Sequence, residues 1–282
     1  MPTAHINGMN LNYEVHGEGF PLVLAHGYCA SIDMWRQQIP AFSQRYQVIA
    51  YDARGHGLSS APQGKENYSL NHLVEDMHGM LAHLGIKEAY LAGHSMGGAT
   101  VAAYAHRFPK QVKATLICNI DAGHQPTDAA AEANAQADRK EKHTFVRNFG
   151  LADYARQQLD TGAAPKFVRD NDEEHAPFIE RYARQSENGY FGVGDALPWR
   201  EASLAGAAAS LQGPVLIMAG TEDGMHLGAE KLHERLGQSR FVSISDAPHD
   251  SVNARPQAFE EALLDYLSAL EAGKPLPGKV VV

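Results

Sequence analysis

The fold is decided by the stretch Leu91-Ala92-Gly93-His94-Ser95-Met96-Gly97-Gly98, which contains a Gly-x-Ser-x-Gly pentapeptide. The apolar segment Glu88–Leu91 leads into it, and residues Ala99–Phe108 follow as a run typical of a helix. A serine at so sharp a turn between strand and helix takes a strained backbone conformation, so the residues two before and two after it must be small. The glycines meet that need. The pattern predicts an exposed Ser95 hydroxyl at the positive end of a helix.

Apolar runs on both sides of this stretch predict further strands. Such short, largely apolar runs are typical of strands buried on both faces of a parallel sheet. They are Pro21–Ala25, Tyr46–Tyr51, Lys113–Ile120, Pro214–Gly220 and Arg240–Ile244. Helices are predicted over Ile32–Phe42, from Ser69 to about Leu84, and over Pro256–Leu270. The alternation of strands and helices predicts an α/β fold with a mostly parallel central sheet flanked by helices.

The character of the sequence changes after residue 121. Residues 122–201 are polar, rich in alanine and charge, and helical in pattern. Helices are predicted over Arg139–Leu159 and Phe178–Ser186, and an aromatic, glycine-rich loop over Asn188–Gly194. We predict an inserted helical cap at 122–201 over a core of residues 1–121 and 202–273, with crossover helices packed to one side as the alternative. Residues 274–282 hold two prolines and no periodicity, which predicts a loose C-terminal tail.

Composition argues against several classes of function. The formal net charge of the 282 residues is −9, without a basic patch, which disfavours nucleic acid and anionic membrane surfaces as partners. No apolar stretch is long enough for a transmembrane helix, and the N-terminal residues lack the pattern of a signal peptide. Cys29 and Cys118 make no disulfide framework or zinc pattern. We therefore expect a cytoplasmic protein without a bound metal, of open oligomeric state.

Two further side chains form a candidate set with Ser95. A serine hydroxyl is a poor nucleophile until a base takes its proton, and that base needs an orienting acid. Asp223 follows the run Val215–Gly220 by three residues, and His249 follows the last predicted strand. The order Ser, Asp, His is that of one particular fold and differs from the orders in unrelated serine proteases.

These residues resemble the α/β-hydrolase superfamily, in particular its serine esterases and lactonases with a helical cap. The likeness lies in the loop His26-Gly27-Tyr28, in the elbow Gly93–Gly98, and in Asp52–Ser59, which is similar to the D-x-R-G-x-G-x-S loop of that group. It covers about the first 121 residues and residues 213–271. The resemblance implies an α/β-hydrolase fold with an inserted helical cap and no cofactor. It does not imply a substrate, because the same core serves many reactions.

The triad that the resemblance implies is Ser95, Asp223 and His249. Several carboxylates could serve as the acid of this triad. Some proteins of the superfamily carry the acid after the strand that follows the elbow helix, and Asp121 lies at that position. Asp223 is the preferred acid. The other nearby carboxylates are Glu222, Asp246 and Asp250, and we expect Asp250 to be a solvated loop charge.

The resemblance also implies where the oxyanion and the substrate would be held. Backbone N–H groups of Met96, directly after the nucleophile, and of Tyr28 are the expected oxyanion donors. The Tyr28 side chain, His94 and Trp199 are the expected substrate-binding residues. His26 and His94 flank the site, where positioning of loops is expected rather than proton transfer. The side chains expected to hold their own loop together are Asp52, Arg54 and His56.

The first hypothesis is a serine hydrolase that cleaves a small carboxylic ester or an (enol-)lactone through an acyl-enzyme. Alternatives with the same triad are a cofactor-free perhydrolase and a carbon–carbon bond hydrolase, although the latter typically carries Asn where this chain has His94. Epoxide and haloalkane hydrolases normally use an Asp nucleophile, so Ser95 argues against both. A different class is a ligand receptor on the same fold, which would release product extremely slowly.

Overall fold

Nine strands form one mixed sheet within the residues that the structure describes. The computed structural model describes residues 2–120, 129–196, 202–274 and 277–282. The strands lie in the order β1-β2-β4-β3-β5-β6-β7-β8-β9. Their bounds are β1 Thr3–Ile6, β2 Met9–His16, β3 Phe20–Ala25, β4 Tyr46–Tyr51, β5 Ala89–His94, β6 Val112–Cys118, β7 Val215–Gly220, β8 Arg240–Ile244 and β9 Gly278–Val281.

Within the described residues, the helices lie between the first and the last of these strands. Those that flank the sheet are α1 (Gln38–Phe42), α2 (Leu70–His83), α3 (Met96–Arg107), α9 (Ala202–Ala209), α10 (His226–Leu236), α11 (Ser251–Ala254) and α12 (Pro256–Glu271). The inserted helices, which lie between β6 and α9, are α4 (Ala129–Phe149), α5 (Leu151–Asp160), α6 (Lys166–Arg169), α7 (Asp172–Ala183) and α8 (Glu187–Ala196). In the described part of the chain, no helix combines the length and apolar character needed to cross a membrane.

The sheet is parallel from β4 to β9 and antiparallel only where β2 pairs with β1 and β4. Its register brings the carboxyl ends of the central strands to one edge. Ala25 of β3 pairs with Gly93 of β5, and Cys118 of β6 pairs with Met218 of β7. The predicted α/β fold with a mostly parallel sheet is confirmed, and loops that leave these strands meet at this edge.

Each central strand is buried on both faces, as its apolar run predicts. Successive side chains of a strand point to opposite faces. Val23 of β3 and Ile117 of β6 pack with helices α2 and α3 on one face. Leu24 and Leu116 pack with helices α1 and α12 on the other. Two apolar layers therefore hold the sheet, and the polar ends of its strands remain for the site.

The inserted helices have small apolar clusters of their own. Val146, Leu151 and Tyr154 pack with Tyr190 and with Cys29, which belongs to the loop after β3. A second cluster joins α5, α6 and α7. Because the first cluster includes Cys29, the inserted helices contact the loop that follows β3 at the carboxyl edge of the sheet.

Several predicted boundaries were wrong. Residues 32–42 form a short 3₁₀ turn, Ile32–Trp35, followed by α1, rather than one helix. The predicted helix over 139–159 is two helices, because Gly150 takes a positive φ of 83° between α4 and α5. The tail is not loose throughout: Gly278–Val281 forms β9, which pairs in parallel with β8.

The glycine-rich segment Asn188–Gly194 is helical and not the loop that its composition predicts. A Cβ atom at Gly189 would lie 1.8 Å from the carbonyl oxygen of Gly55, and one at Gly192 would lie 2.2 Å from the ring of Tyr68. The glycines of α8 therefore allow a close approach to the core rather than a turn. Composition alone does not separate these two uses of glycine.

Candidate active site

The three side chains predicted as a triad lie in one hydrogen-bonded chain. Ser95 Oγ lies 3.1 Å from His249 Nε2, and His249 Nδ1 lies 3.0 Å from Asp223 Oδ2. Asp223 is in the loop after β7 and His249 in the loop after β8, whereas Ser95 follows β5 directly. Their strands end at the same edge of the sheet, so residues 154 positions apart in the sequence come into contact.

The backbone at Ser95 is strained, and its glycine neighbours make this possible. Ser95 has φ 52° and ψ −114°, in the region that side chains other than glycine rarely adopt. A Cβ atom at Gly97 would lie 2.0 Å from the carbonyl oxygen of Ala25, and one at Gly93 would lie 2.2 Å from that of Gly97. Nothing larger than glycine fits at either position. The strain is concentrated at the residue whose hydroxyl faces His249, as is common at functional sites.

Asp223 is held in its ionised form by three donors. Burial raises the pKa of this carboxyl, but hydrogen bonds from His249, the Asn119 amide and the Met225 N–H outweigh burial and lower the pKa below its ordinary value of 3.8. The Asn119 Nδ2 donates to Asp223 Oδ2 over 2.7 Å, and the Met225 N–H donates to Oδ1 over 3.0 Å. The acid therefore presents a fixed negative charge to the His249 ring.

Asn119 is a part of the site that the sequence reasoning missed. It follows β6 directly, has a positive φ of 53° and is fully buried. Its Oδ1 accepts a hydrogen bond of 2.6 Å from the Ser251 hydroxyl. The available signal was its position: it lies inside a predicted strand run, at the end that meets the loops carrying Asp223 and His249.

His94 is hydrogen-bonded to the loop of His249. Its Nε2 donates over 2.7 Å to the backbone carbonyl of His249. Burial lowers the pKa of His94 to about 4, with the neighbouring His249 contributing, so the ring is neutral near pH 7. His26 is also a buried histidine. The Ala53 N–H donates to its Nε2 over 2.9 Å, and burial lowers the pKa of His26 to about 4.

The two residues expected to supply oxyanion donors are Met96, directly after Ser95, and Tyr28, which lines the same cavity as Ser95. Met96 is the first residue of α3, where backbone N–H groups have no acceptor within the helix. Tyr28 lies in the loop after β3. Its hydroxyl donates to the carbonyl of Tyr190 in α8 over 2.5 Å, and the two rings stack with centroids 5.7 Å apart. Tyr28 thus connects the loop beside Ser95 to the inserted helices.

A cavity of about 280 Å³ lies against Ser95 and His249. The core supplies its floor and the inserted helices α5 and α7, with the turn after α5, supply its roof. Its lining residues are Gly27, Tyr28, Cys29, Ala30, Met34, His94, Ser95, Gln158, Ala163, Pro165, Phe178, Arg181, Tyr182, Pro248, His249 and Asp250. A small organic molecule placed there would contact the Ser95 hydroxyl.

Asp250 is not the solvated loop charge that we expected. Its side chain is only 13% exposed and lines the cavity opposite Arg181, whose Nη1 lies 3.8 Å from the Asp250 carboxylate. Two other expectations, Trp199 as a substrate contact and Asp121 as an alternative acid, lie outside the described residues.

The loop Asp52–Ser59 is held together by its own polar side chains. Arg54 donates to both oxygens of Asp76 over 2.6 and 2.7 Å, and both side chains are almost fully buried. Asp52 accepts from the backbone N–H groups of Ile32 and Leu58. These groups lie behind the site and do not line its cavity. Among the described residues, no group of three His, Cys, Asp or Glu side chains is arranged to hold a metal ion.

Comparison with known proteins defines the class of this fold and site. A family model for the α/β-hydrolase fold matches residues 21–252. The chain belongs to the α/β-hydrolase family, as its motifs predict.

Among individual proteins, it is similar to a 3-oxoadipate enol-lactonase of Acinetobacter baylyi, with 32% identity over 90% of this chain and 91% of the relative. A bifunctional esterase/perhydrolase of Acinetobacter calcoaceticus is 26% identical over 86% of this chain and 89% of the relative. The crystal structure of the enol-lactonase from Burkholderia xenovorans superposes with a TM-score of 0.79 at 26% identity, covering 95% of this chain and all of that one. The resemblance to esterases and lactonases is thereby confirmed.

Proposed function

We propose that this protein is a serine hydrolase that cleaves a small carboxylic ester or an (enol-)lactone through an acyl-enzyme. The observation that carries the proposal is the hydrogen-bonded chain from Ser95 through His249 to Asp223 beneath a cavity. The enol-lactonase and esterase relatives support the same reaction class. Residues 1–121 and 202–273 would then provide the chemistry, and the cap at 122–201 would select the substrate.

In the proposed mechanism His249 acts first as a base and then as an acid. The Asp223 carboxylate holds the proton on Nδ1 of the ring, which leaves Nε2 free to accept the Ser95 proton as Oγ attacks the carbonyl carbon. When the carbon–oxygen bond of the ester breaks, His249 gives this proton to the leaving oxygen. A water molecule then transfers a proton to His249 and attacks the acyl carbon. Ser95 recovers the proton as the free acid departs.

Backbone donors would stabilise the oxyanion of both tetrahedral intermediates. The Met96 N–H is the first proposed donor, because Met96 begins α3 directly after Ser95 and the start of a helix favours negative charge, and the Tyr28 N–H is the second. Such donors act best when they are fixed before the reaction. The positions of Tyr28 against Tyr190 and of Met96 in a buried helix start support this.

The size of the cavity favours a small substrate. At about 30 Å³ per water in the liquid, 280 Å³ corresponds to roughly nine water molecules. A short-chain ester or a single lactone ring fits such a volume. In a lactone the leaving oxygen stays attached to the acyl group. An enol oxygen is a better leaving group than an alkoxide, so an enol-lactone is a favourable substrate for Ser95, His249 and Asp223.

The test is kinetic. Wild-type protein is assayed with p-nitrophenyl acetate, p-nitrophenyl butyrate and a γ-lactone, beside Ser95→Ala and the control Ser210→Ala, an exposed serine after α9. We expect multiple turnovers that Ser95→Ala lowers by about 10⁴-fold or more, in the range seen when a triad nucleophile is removed, and that Ser210→Ala leaves unchanged. Activity that survives Ser95→Ala would refute the proposal. A burst that stops after one equivalent would favour the receptor alternative.

A perhydrolase is the second candidate, because one relative carries that activity in its name. The same acyl-enzyme would then be opened by hydrogen peroxide instead of water, and the product would be a peroxy acid. Adding peroxide to the ester assay distinguishes the two, since a perhydrolase partitions the acyl group to peroxide at the expense of the free acid.

A further inference from the structure

The roof of the cavity contains a guanidinium group that the proposed mechanism does not use. Arg181 lies on α7, directly above the pocket of Ser95 and His249. Among the described residues that line this cavity, it is the only Arg or Lys. Its side chain is 22% exposed and borders an outer cleft as well, so it lies between the cavity and the surface.

The hydrogen bonds of Arg181 are incomplete. Its Nε atom is buried and has no acceptor among the described residues. The Asp250 carboxylate is 3.8 Å from Nη1, which is beyond hydrogen-bond distance. The guanidinium carbon lies 5.3 Å from the centroid of the Phe178 ring, a cation–π contact that supplies no hydrogen-bond acceptor in the plane of the group. Because Asp250 lies beyond hydrogen-bond distance of Nη1 and Arg181 lines the cavity, a ligand in the cavity can supply an acceptor to the terminal N–H groups of this guanidinium.

We infer that Arg181 binds a carboxylate on the substrate, so that the preferred substrate is a small anionic ester or lactone. This inference rests on the proposed function and names its substrate class. A carboxylate is the favoured partner because its two oxygens match the fork of guanidinium donors, and such pairs are stronger than bonds to a neutral carbonyl. The small volume of the cavity places this anionic group only a few carbon atoms from the carbonyl that Ser95 attacks.

Asp250 has a defined part in this arrangement. One of its oxygens accepts a hydrogen bond of 2.8 Å from the Asn253 amide, which holds the carboxylate at the edge of the cavity. Its negative charge balances Arg181 when no substrate is bound, at a distance that leaves the Arg181 donors available. A bound substrate carboxylate competes with Asp250 for the same guanidinium. Asp250 therefore weakens anion binding.

The experiment compares two esters that differ by one charge, 4-nitrophenyl pentanoate and 4-nitrophenyl hydrogen glutarate, in which a carboxylate replaces the terminal methyl group. Uncatalysed hydrolysis is subtracted. We expect Arg181→Met to lower kcat/KM for the glutarate ester by about 10- to 100-fold, the size expected for a charge-assisted pair, and to change the pentanoate ester by less than about threefold. Arg181→Lys is expected to recover part of the loss.

Arg184→Met is the matched control. Arg184 lies three residues further along, is 57% exposed, and pairs with Asp33 and Glu180 on the outside of the protein. Its loss is expected to leave the ratio of the two esters unchanged. Asp250→Asn is expected to raise the ratio in favour of the glutarate ester. Thermal unfolding of each variant shows that it is folded.

Two results would overturn the inference. One is an equal loss on both esters in Arg181→Met; the other is a selective loss of the glutarate ester in Asp250→Asn. A binding measurement separates this inference from the proposed function. Monomethyl glutarate is titrated into Ser95→Ala and into Ser95→Ala with Arg181→Met. Binding that requires Arg181 supports the anion site even without turnover, and no difference between the two proteins refutes it.

Discussion

Replacing Gly189 with alanine tests whether α8 is seated on the core as the structure shows. Alanine is a better helix former than glycine by about 1 kcal/mol, so propensity alone predicts a more stable protein. The contact with the core predicts the opposite. The new Cβ atom would lie 1.8 Å from the Gly55 carbonyl oxygen, whereas ordinary van der Waals contact begins at 3.4 Å. Helix α8 must therefore move outward by about 1.6 Å, because the contacting atoms belong to the backbone of Gly55, which cannot move aside as a flexible side chain can.

This displacement has two measurable consequences. Overpacking of this kind costs typically 1–3 kcal/mol, and a backbone contact belongs at the upper end, so after the gain in propensity we expect a net loss of about 1–2 kcal/mol. A shift of this size also breaks the bond from the Tyr28 hydroxyl to the Tyr190 carbonyl. Because misplacement by about 1 Å can lower a rate by about 100-fold, we expect kcat/KM for p-nitrophenyl butyrate to fall by about 10- to 100-fold.

The control for Gly189→Ala is Gly206→Ala. Gly206 is an exposed glycine of α9, and a methyl group added there would have no neighbouring atom within 4 Å, so the substitution should be neutral or stabilising by up to about 1 kcal/mol. Unfolding in urea gives both free energies, and steady-state kinetics gives both rates. If Gly189→Ala is as stable and as active as Gly206→Ala, α8 does not contact Gly55 and our account of the cap is wrong.

Two further substitutions test the core. Asn119→Ala removes a hydrogen-bond donor to Asp223, so the pKa of that carboxyl should rise and kcat/KM should fall about tenfold. Kinetics measures the rate, and circular dichroism checks that the variant is folded. An unchanged rate would show that Asn119 does not help to hold the Asp223 carboxylate. Arg54→Met leaves the buried carboxylate of Asp76 without its cationic partner, which should lower the free energy of unfolding in urea by about 3–5 kcal/mol. A decrease below about 1 kcal/mol would show that the ion pair is not buried in solution.

The sequence predicted the site best where geometry leaves few choices. The spacing of Gly93, Ser95 and Gly97 admits one tight turn, and the structure shows why: backbone oxygens lie within about 2 Å of any added Cβ atom. Asp223 and His249 were predicted because each follows a buried strand, and parallel strands end at one edge of the sheet, where the structure brings them into contact. The same rule pointed to Asn119, but its side chain was assigned to a strand interior.

The remainder depends on helix packing, which no local pattern specifies. Arg181 belongs to a helix with polar residues on most sides, and only the packing of that helix on the core shows that Arg181 lines the cavity. The glycines of α8 predict a turn by composition, whereas their role is to meet Gly55 and Tyr68. The strand β9 was missed because four residues after two prolines carry little periodicity, and its pairing with β8 is what orders it.

The site has two layers, the core residues around Ser95 and the residues of the inserted helices above them. Substitutions in the two layers should have different effects on the kinetics. Core residues are positioned by the sheet register and, in the proposed mechanism, act on the carbonyl, so their loss should lower the rates of all esters by a similar factor. Arg181 contacts the part of the substrate away from the carbonyl, so its loss should change the ratio between esters. Tyr28 belongs to both layers, because its backbone lies beside Ser95 while its side chain holds Tyr190. A displaced α8 should therefore change both the rate and the ratio, which distinguishes it from a substitution in either layer alone.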